Sequence, residues 1–254
     1  MELNHLSCSS ITTWLTCPRS WKFKYIENLP SPASTAQVFG SAIHDCIETY
    51  LGGLRDKALV DLWPASWNTQ LEKNVGLVWD GETPESLHNE GIRILSTPEI
   101  VTAIDRLQCQ TDADGPVIER KIELRVPDVP IPVIGFIDMI DTHGIPTDFK
   151  TSSKSWSTDR AASEIQPLFY LAALLQTGVV SHRLRFRHVV FVRTKTPQIQ
   201  VIESQFTFGN IFWLLEMVGK VWSAISENHF PCNPLAWCCS EKWCAYWTLC
   251  RGKS

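Results

Sequence analysis

No run of this chain is apolar for long enough to cross a bilayer. The most apolar stretch, Phe169 to Leu175, falls far below the roughly 18–20 residues that a spanning helix needs. The opening MELNHLSCSS lacks both the basic start and the apolar stretch of a secretory signal. The expectation is a cytoplasmic protein with no membrane partner. Any surplus of positive charge is missing as well. With 23 Lys and Arg against 27 Asp and Glu, the net charge is −4. That excludes a protein that coats nucleic acid by charge alone. Phosphate contact would have to come from a local basic surface or from bound metal ions. Internal repeats and low-complexity tracts are absent, so solenoid and disordered classes drop out. Apolar residues at 44% and charged residues at 20% fit a globular chain large enough to bury a real core.

Cysteine, by contrast, is plentiful: there are nine. In a reducing compartment disulfides are disfavoured, so metal or cluster ligation becomes the leading use for them.

The chain divides by pattern into four stretches. Residues 1–30 carry an opening helix over 6–28, capped by Ser9 or Ser10 and interrupted at Cys17-Pro18. Residues 31–115 read as helical, with Val38 or Phe39, Ile43, Ile47, Tyr50 and Leu51 on one side of the first helix. From 116 to 230 the period shortens to two. VIERKIELRV sets Ile118, Ile122, Leu124 and Val126 against Glu119, Lys121, Glu123 and Arg125. VIGFIDMID and PTDFKTS follow as strands, then an apolar helix around 165–175. A hairpin of RLRFRHVVFVRT with QIQVIESQF and a last helix over 210–227 complete the stretch. Residues 231–254 are a tail rich in Cys and Trp. The order predicts a single mixed α/β domain with a helical N-terminal region.

The chemistry concentrates at Thr147-Asp148-Phe149-Lys150-Thr151. Alternation puts Asp148 and Lys150 on one face and Phe149 on the other. Ten residues earlier, Asp138 interrupts an apolar strand, at a distance that lets a hairpin bring it opposite Asp148. Two close carboxylates stay ionised only with a cation between them, and oxygen ligands favour Mg²⁺ or Mn²⁺. Such an ion polarises a phosphate and activates water, while Lys150 orients that water or offsets developing charge. An acid and a lysine on a strand are by themselves most often a solvated face. Asp138 within an apolar strand argues against that, because an unpaired buried acid is costly. Gln166 and Tyr170 are four apart and share a helix face. Pro167 between them marks either the first turn or a kink. On its helix alone His44, one turn before Glu48, reads as a core or capping histidine. Glu119 fits either a supporting acid of the site or a solvated strand face.

Five ordered pieces, CPRSWKFKY at 17–25, GSAIHDCIE at 40–48, GFIDMID at 135–141, DFKT at 148–151 and QPLFY at 166–170, resemble the RecB-like branch of the PD-(D/E)XK nucleases. With the tail they span nearly the whole chain. That group includes CRISPR adaptation nucleases and the nuclease domains of recombination complexes. The resemblance implies a restriction-endonuclease-like mixed sheet flanked by helices, with 116–230 as the nuclease core. It implies His44, Asp138, Asp148 and the Phe149 carbonyl as metal ligands. Lys150 would be the catalytic lysine, and Gln166 and Tyr170 a pair that supports the site and the DNA backbone. The implied activity is a DNA exonuclease acting on single-stranded ends, in repair, recombination or CRISPR spacer processing.

In the tail, Cys239, Cys244 and Cys250 are separated by four and five residues. Three close cysteines want a fourth ligand, and Cys17 is available. Four thiolates fit zinc or an iron–sulfur cluster. The absence of paired C-x-x-C knuckles favours the cluster. The layout resembles the 4Fe-4S clasp of several RecB-like nucleases, though the first gap is longer here, and Cys238 is an alternative to Cys239. Cys8, Cys46, Cys109 and Cys232 read as ordinary thiols.

His182, Arg183, Arg185, Arg187, His188, Arg193 and Lys195 fall within 14 residues. Arg183, Arg185 and Arg187 alternate, which suits either phosphate tracking or an edge strand kept soluble by charge. Arg19, Lys22 and Lys24 form a smaller basic set. Two other roles compete with an active nuclease: a DNA-binding scaffold subunit of a larger repair or adaptation complex, and a zinc-ribbon regulator.

Overall fold

The computed structural model describes residues 3–77, 79, 81–180 and 183–252. His182, one of the basic residues above, lies outside the described residues. The elements run β1 (Leu6–Ser7), α1 (Cys8–Thr16), α2 (Pro18–Tyr25), α3 (Thr35–Leu51), α4 (Leu59–Lys73), α5 (Pro84–Leu95) and α6 (Pro98–Asp105). A small hairpin of β2 (Thr111–Asp112) and β3 (Gly115–Pro116) precedes β4 (Ile118–Leu124), β5 (Val133–Ile140) and β6 (Pro146–Ser152). Then come α7 (Thr158–Ser163), α8 (Gln166–Gln176), β7 (Arg185–Val192), β8 (Gln198–Gln205), α9 (Phe208–Ser226) and α10 (Trp247–Arg251). The fold is mixed α/β, a mixed sheet with helices on both faces. Among the described residues no helix is long and apolar enough to cross a membrane.

The sheet runs β1-β5-β6-β7-β8, and β4 also pairs with β5. β5 pairs antiparallel with both β4 and β6, the latter the hairpin that the spacing of Asp138 and Asp148 predicts. β6 and β7 are parallel, joined over the sheet by α7 and α8. One core gathers Trp21, Leu168–Leu174, Phe186 and Leu214 between the sheet and α1, α2, α8 and α9. The other gathers Phe39, Ile43, Trp63, Ile94, Phe149 and Phe191 under α3 to α6. Phe149 thus points away from Asp148 and Lys150, as strand alternation requires.

The predicted opening helix is corrected at its start. Leu6 and Ser7 pair parallel with Val133 and Ile134, and the helix begins after them. Its cap is Ser7 rather than Ser9 or Ser10. The Ser7 hydroxyl accepts from Ser10 N–H, and the Ser10 hydroxyl from Ser7 N–H, a reciprocal capping box. Pro167 sits in the first turn of α8, where its missing N–H costs nothing, so there is no kink.

A second correction concerns β4. The sequence pattern sets Ile118, Ile122 and Leu124 on one face. In the structure Ile122 and Leu124 pack on the α8 side, but Ile118 packs under α3 to α6. Glu119, at φ 45°, reverses the alternation. β5 reverses opposite it: Val133 and Ile137 join the first core, Met139 the second. A left-handed φ at a residue with a Cβ is sparsely populated and gathers at functional sites. The residue opposite Glu119 in this register is Asp138.

Candidate active site

β5 and β6 pair only at Met139↔Thr147 and Ile140↔Pro146 and then splay. The next opposed pair would be Asp138 and Asp148. Splaying leaves the Phe149 N–H without a strand acceptor on that side. Asp138 supplies one, its Oδ2 accepting at 2.6 Å. The fork between the strands is the site, and both carboxylates lie at its base, 5% and 1% exposed.

Asp148 Oδ1 accepts from Lys150 Nζ at 2.9 Å and from Gln166 Nε2 at 2.8 Å. Lys150 Nζ also stands 2.7 Å from Asp148 Oδ2 as an ion pair and donates to Gln166 Oε1 at 2.8 Å. Gln166 Nε2 donates onward to the Tyr170 hydroxyl at 2.7 Å. The lysine fixes the amide's orientation, because only its oxygen can face an ammonium. α8 brings Gln166 and Tyr170 to this point on one face, and Gly135 leaves room for the ring. A Cβ there would lie 2.9 Å from Tyr170 Cε1.

On the other side, α3 presents His44 and Glu48. His44 Nδ1 lies 3.4 Å from Asp138 Oδ2. Ligand atoms of His44, Glu48 and Asp138 all fall within 4.8 Å of one another, the one such group of His, Cys, Asp or Glu among the described residues. Glu48 is the site residue that the sequence reading did not assign. Its only signal was the four-residue spacing from His44. Asp148 is outside this compact group, drawn instead to Lys150 and Gln166.

The electrostatics match an acid cluster in want of a cation. Burial pushes the Glu48 carboxyl up to about 9, with the Glu119 and Asp138 charges adding to it. Glu48 Oε1 is buried with no hydrogen-bond partner. Burial, then the Asp148 charge, raises Asp138 well above the carboxylate range against the pull of Lys150 and the Phe149 N–H. Burial lowers the His44 pKa, leaving the neutral imidazole that metals bind. Burial alone would lower Lys150, but the Asp148 and Asp138 carboxylates outweigh it and hold the ammonium above its ordinary range. Buried carboxylates with an orphaned oxygen, a neutral imidazole and a nearby carbonyl fit a hard divalent ion.

The basic stripe is only partly available. Arg187 is held at 2.7 Å by both Asp141 and Glu203 and is largely buried, so it is a structural ion pair. His188 is fully buried beside Trp156 and Phe186, and burial lowers its pKa to about 4. Arg183 is exposed, and Arg185 stands 3.9 Å from Glu203. Of the smaller set, Arg19 Nε donates to the Phe230 carbonyl and Lys22 pairs with Glu27.

At the far end the tail returns to the N-terminus. Arg19 N–H donates to the Pro231 carbonyl, Asn233 to the Thr16 carbonyl and Tyr246 to the Leu29 carbonyl. A cavity of about 180 Å³ forms between them, lined by Cys17, Cys232, Cys238, Cys239, Cys244 and Cys250. All nine cysteines are free, and no three sulfurs draw together within 4.8 Å among the described residues.

A sequence model of the PD-(D/E)XK nuclease superfamily matches residues 5–251. No curated protein sequence matches the chain. Among solved structures, a proposed exonuclease from Eubacterium rectale superposes with a TM-score of 0.60 at 10% identity, covering 93% of this chain and 87% of that one. A second, SSO0001, is 15% identical over 96% and 97% of the two chains, with a TM-score of 0.37.

Proposed function

Because the chain belongs to the PD-(D/E)XK nuclease superfamily, we propose that it is a divalent-metal-dependent DNA nuclease of the RecB-like branch, an exonuclease that hydrolyses phosphodiester bonds at single-stranded ends. One observation carries the reading. The Asp148–Lys150–Gln166–Tyr170 network stands beside the converging ligand atoms of His44, Glu48 and Asp138. The likeness of fold to the Eubacterium rectale protein adds support for exonuclease action.

His44, Glu48 and Asp138 would hold Mg²⁺ or Mn²⁺, with Asp148 and the Phe149 carbonyl as further oxygen donors. A bound ion of this kind supplies Lewis-acid polarisation of the phosphate and lowers the pKa of water. Lys150 keeps its proton and offsets charge developing on the phosphate. The Tyr170 phenol is kept protonated, chiefly by burial and then by the Asp148 charge. Since its oxygen accepts from Gln166, its own proton is free to donate to a phosphate oxygen. Arg183 and Arg185 are the stripe residues left to meet the backbone.

Cleavage of 5′- and 3′-labelled single-stranded DNA by anaerobically purified protein, with Mn²⁺, Mg²⁺ or EDTA, tests the reading. Wild type should cut only with metal, and Asp148→Ala should lose at least about a hundredfold in rate. No cleavage under any metal would overturn it in favour of a DNA-binding scaffold in a repair or CRISPR adaptation complex.

We further propose that Cys17, Cys239, Cys244 and Cys250 hold a 4Fe-4S cluster in a reducing, cytoplasmic compartment, with Cys238 as the alternative to Cys239. The shared cavity and the missing zinc knuckles support this. Such a cluster would clasp the tail to the N-terminus. Protein purified without oxygen should carry about four iron atoms and four sulfides per chain. Cys244→Ser should lose them, and only one of Cys238→Ser and Cys239→Ser should follow. Zinc in place of iron would refute the cluster.

A further inference from the structure

Next to the Asp148–Lys150 network lies a cavity of about 610 Å³, inside the rough 300–1,000 Å³ range of sites that hold small molecules. Gln166 and Tyr170 form one wall, and Cys8 and Thr12 of α1 another. Phe136 closes a third side. It lies within β5, two residues before Asp138, yet it is 50% exposed.

The charges of this cavity do not suit a phosphate. Its lining includes Glu164 and, His5 apart, no basic side chain among the described residues. The Cys8 thiol is neutral, burial pushing it up to about 12. Backbone phosphate is drawn instead to Lys150 next door. What the cavity offers is an aromatic face and acceptor oxygens, those of the Thr12 hydroxyl, whose proton goes to the Cys8 carbonyl, and of the Gln166 amide, which together match the flat surface and the amino edge of a nucleobase. Only an unpaired base can present a free face to a side chain, since a base within a duplex is stacked on both sides.

We propose that this cavity receives the unpaired base next to the scissile phosphate, stacked on Phe136, so that Phe136 positions single-stranded DNA and selects it over duplex. The inference rests on the nuclease reading above and deepens it.

The test pairs a binding signal with kinetics on the full chain. A single-stranded oligonucleotide carrying 2-aminopurine near its end is titrated in EDTA, where no cleavage occurs, and its fluorescence quenching is read. The same strand without the probe is then cut with Mn²⁺. Wild type should quench the probe. Phe136→Leu should lose that quenching and raise KM roughly five- to a hundredfold, the range for loss of one base stack. Its kcat should stay within about twofold, since the ring touches no reacting atom. Phe136→Trp should restore both signals. Unchanged quenching and KM in Phe136→Leu, in a wild type that cuts, would overturn the subsite and leave the nuclease standing. Quenching that depends on Phe136 in a wild type that never cuts would uphold the subsite and sink the nuclease. A wild type that neither quenches nor cuts would overturn both.

Discussion

Lys150→Met is expected to slow DNA cleavage by about a hundred- to a thousandfold at saturating Mn²⁺ and to lower thermal stability in the same variant. The catalytic loss follows from removing a fixed positive charge where charge develops on the phosphate. The loss of stability has a separate cause. Asp148 is 1% exposed, and Lys150 is the cation beside it. Breaking a buried pair from one side leaves a carboxylate desolvated and unpaired, at a cost of about 3–5 kcal/mol. The Lys150 side chain retains 28% exposure, so the low end, about 3 kcal/mol, is the better expectation. In a chain of this size that is roughly 6–12 °C in Tm. The two effects separate in the double variant Asp148→Asn/Lys150→Met. It leaves no unpaired charge at position 148, and an asparagine oxygen can still accept from Gln166. It should recover most of the Tm measured in EDTA while remaining inactive. A single variant with wild-type Tm, or a double variant that regains activity, would show that Lys150 does not play these two parts.

Much of this centre is legible in the sequence, because it rests on local periods. The strand period of two puts Asp148 and Lys150 together and sends Phe149 into the opposite core. The helix period makes Gln166 and Tyr170 neighbours, and their hydrogen bond is the result. The chain is silent where geometry is made by distant parts. Two residues carry no period, so nothing marked Leu6–Ser7 as a strand until β5 was seen to accept it. The left-handed Glu119 inverts half of β4, and no pattern of apolar residues announces such a reversal. The sequence leaves Arg187 open between phosphate contact and a charged edge strand, because its captors, Asp141 and Glu203, are 46 and 16 residues away. Glu48 escaped for a related reason. One helical turn from a histidine is an ordinary place for a glutamate, and its meaning depends on Asp138 arriving from a strand 90 residues later.

Glu48 is also the residue through which the metal and the stability of the fold should be linked. Its carboxyl is raised from 4.5 to about 9, by burial first and then by the Glu119 and Asp138 charges. A group with a raised folded pKa takes up protons on folding. Its stabilising contribution is therefore complete below the unfolded value and is lost as pH climbs through the window from about 4.5 to about 9. Asp138, raised in the same direction, adds to the slope. In EDTA the Tm should fall between pH 5.5 and 8.5. A divalent ion reverses the trend, because it replaces the proton and binds more tightly as the carboxyls ionise. Mn²⁺ should thus raise Tm little at pH 5.5 and most at pH 8.5. Glu48→Gln removes the ionisable group but nearly keeps its shape. In EDTA at pH 8.5 it should be more stable than wild type, with a flatter pH profile. Its Mn²⁺ affinity by calorimetry should drop at least roughly ten- to a hundredfold, the cost already seen when groups that merely support a metal's ligands are removed. A Glu48→Gln protein that melts earlier than wild type in EDTA at pH 8.5, or that binds Mn²⁺ as tightly, would mean that Glu48 holds a neighbouring side chain rather than an ion. The metal would then have to be assigned to Asp138, Asp148 and His44 alone.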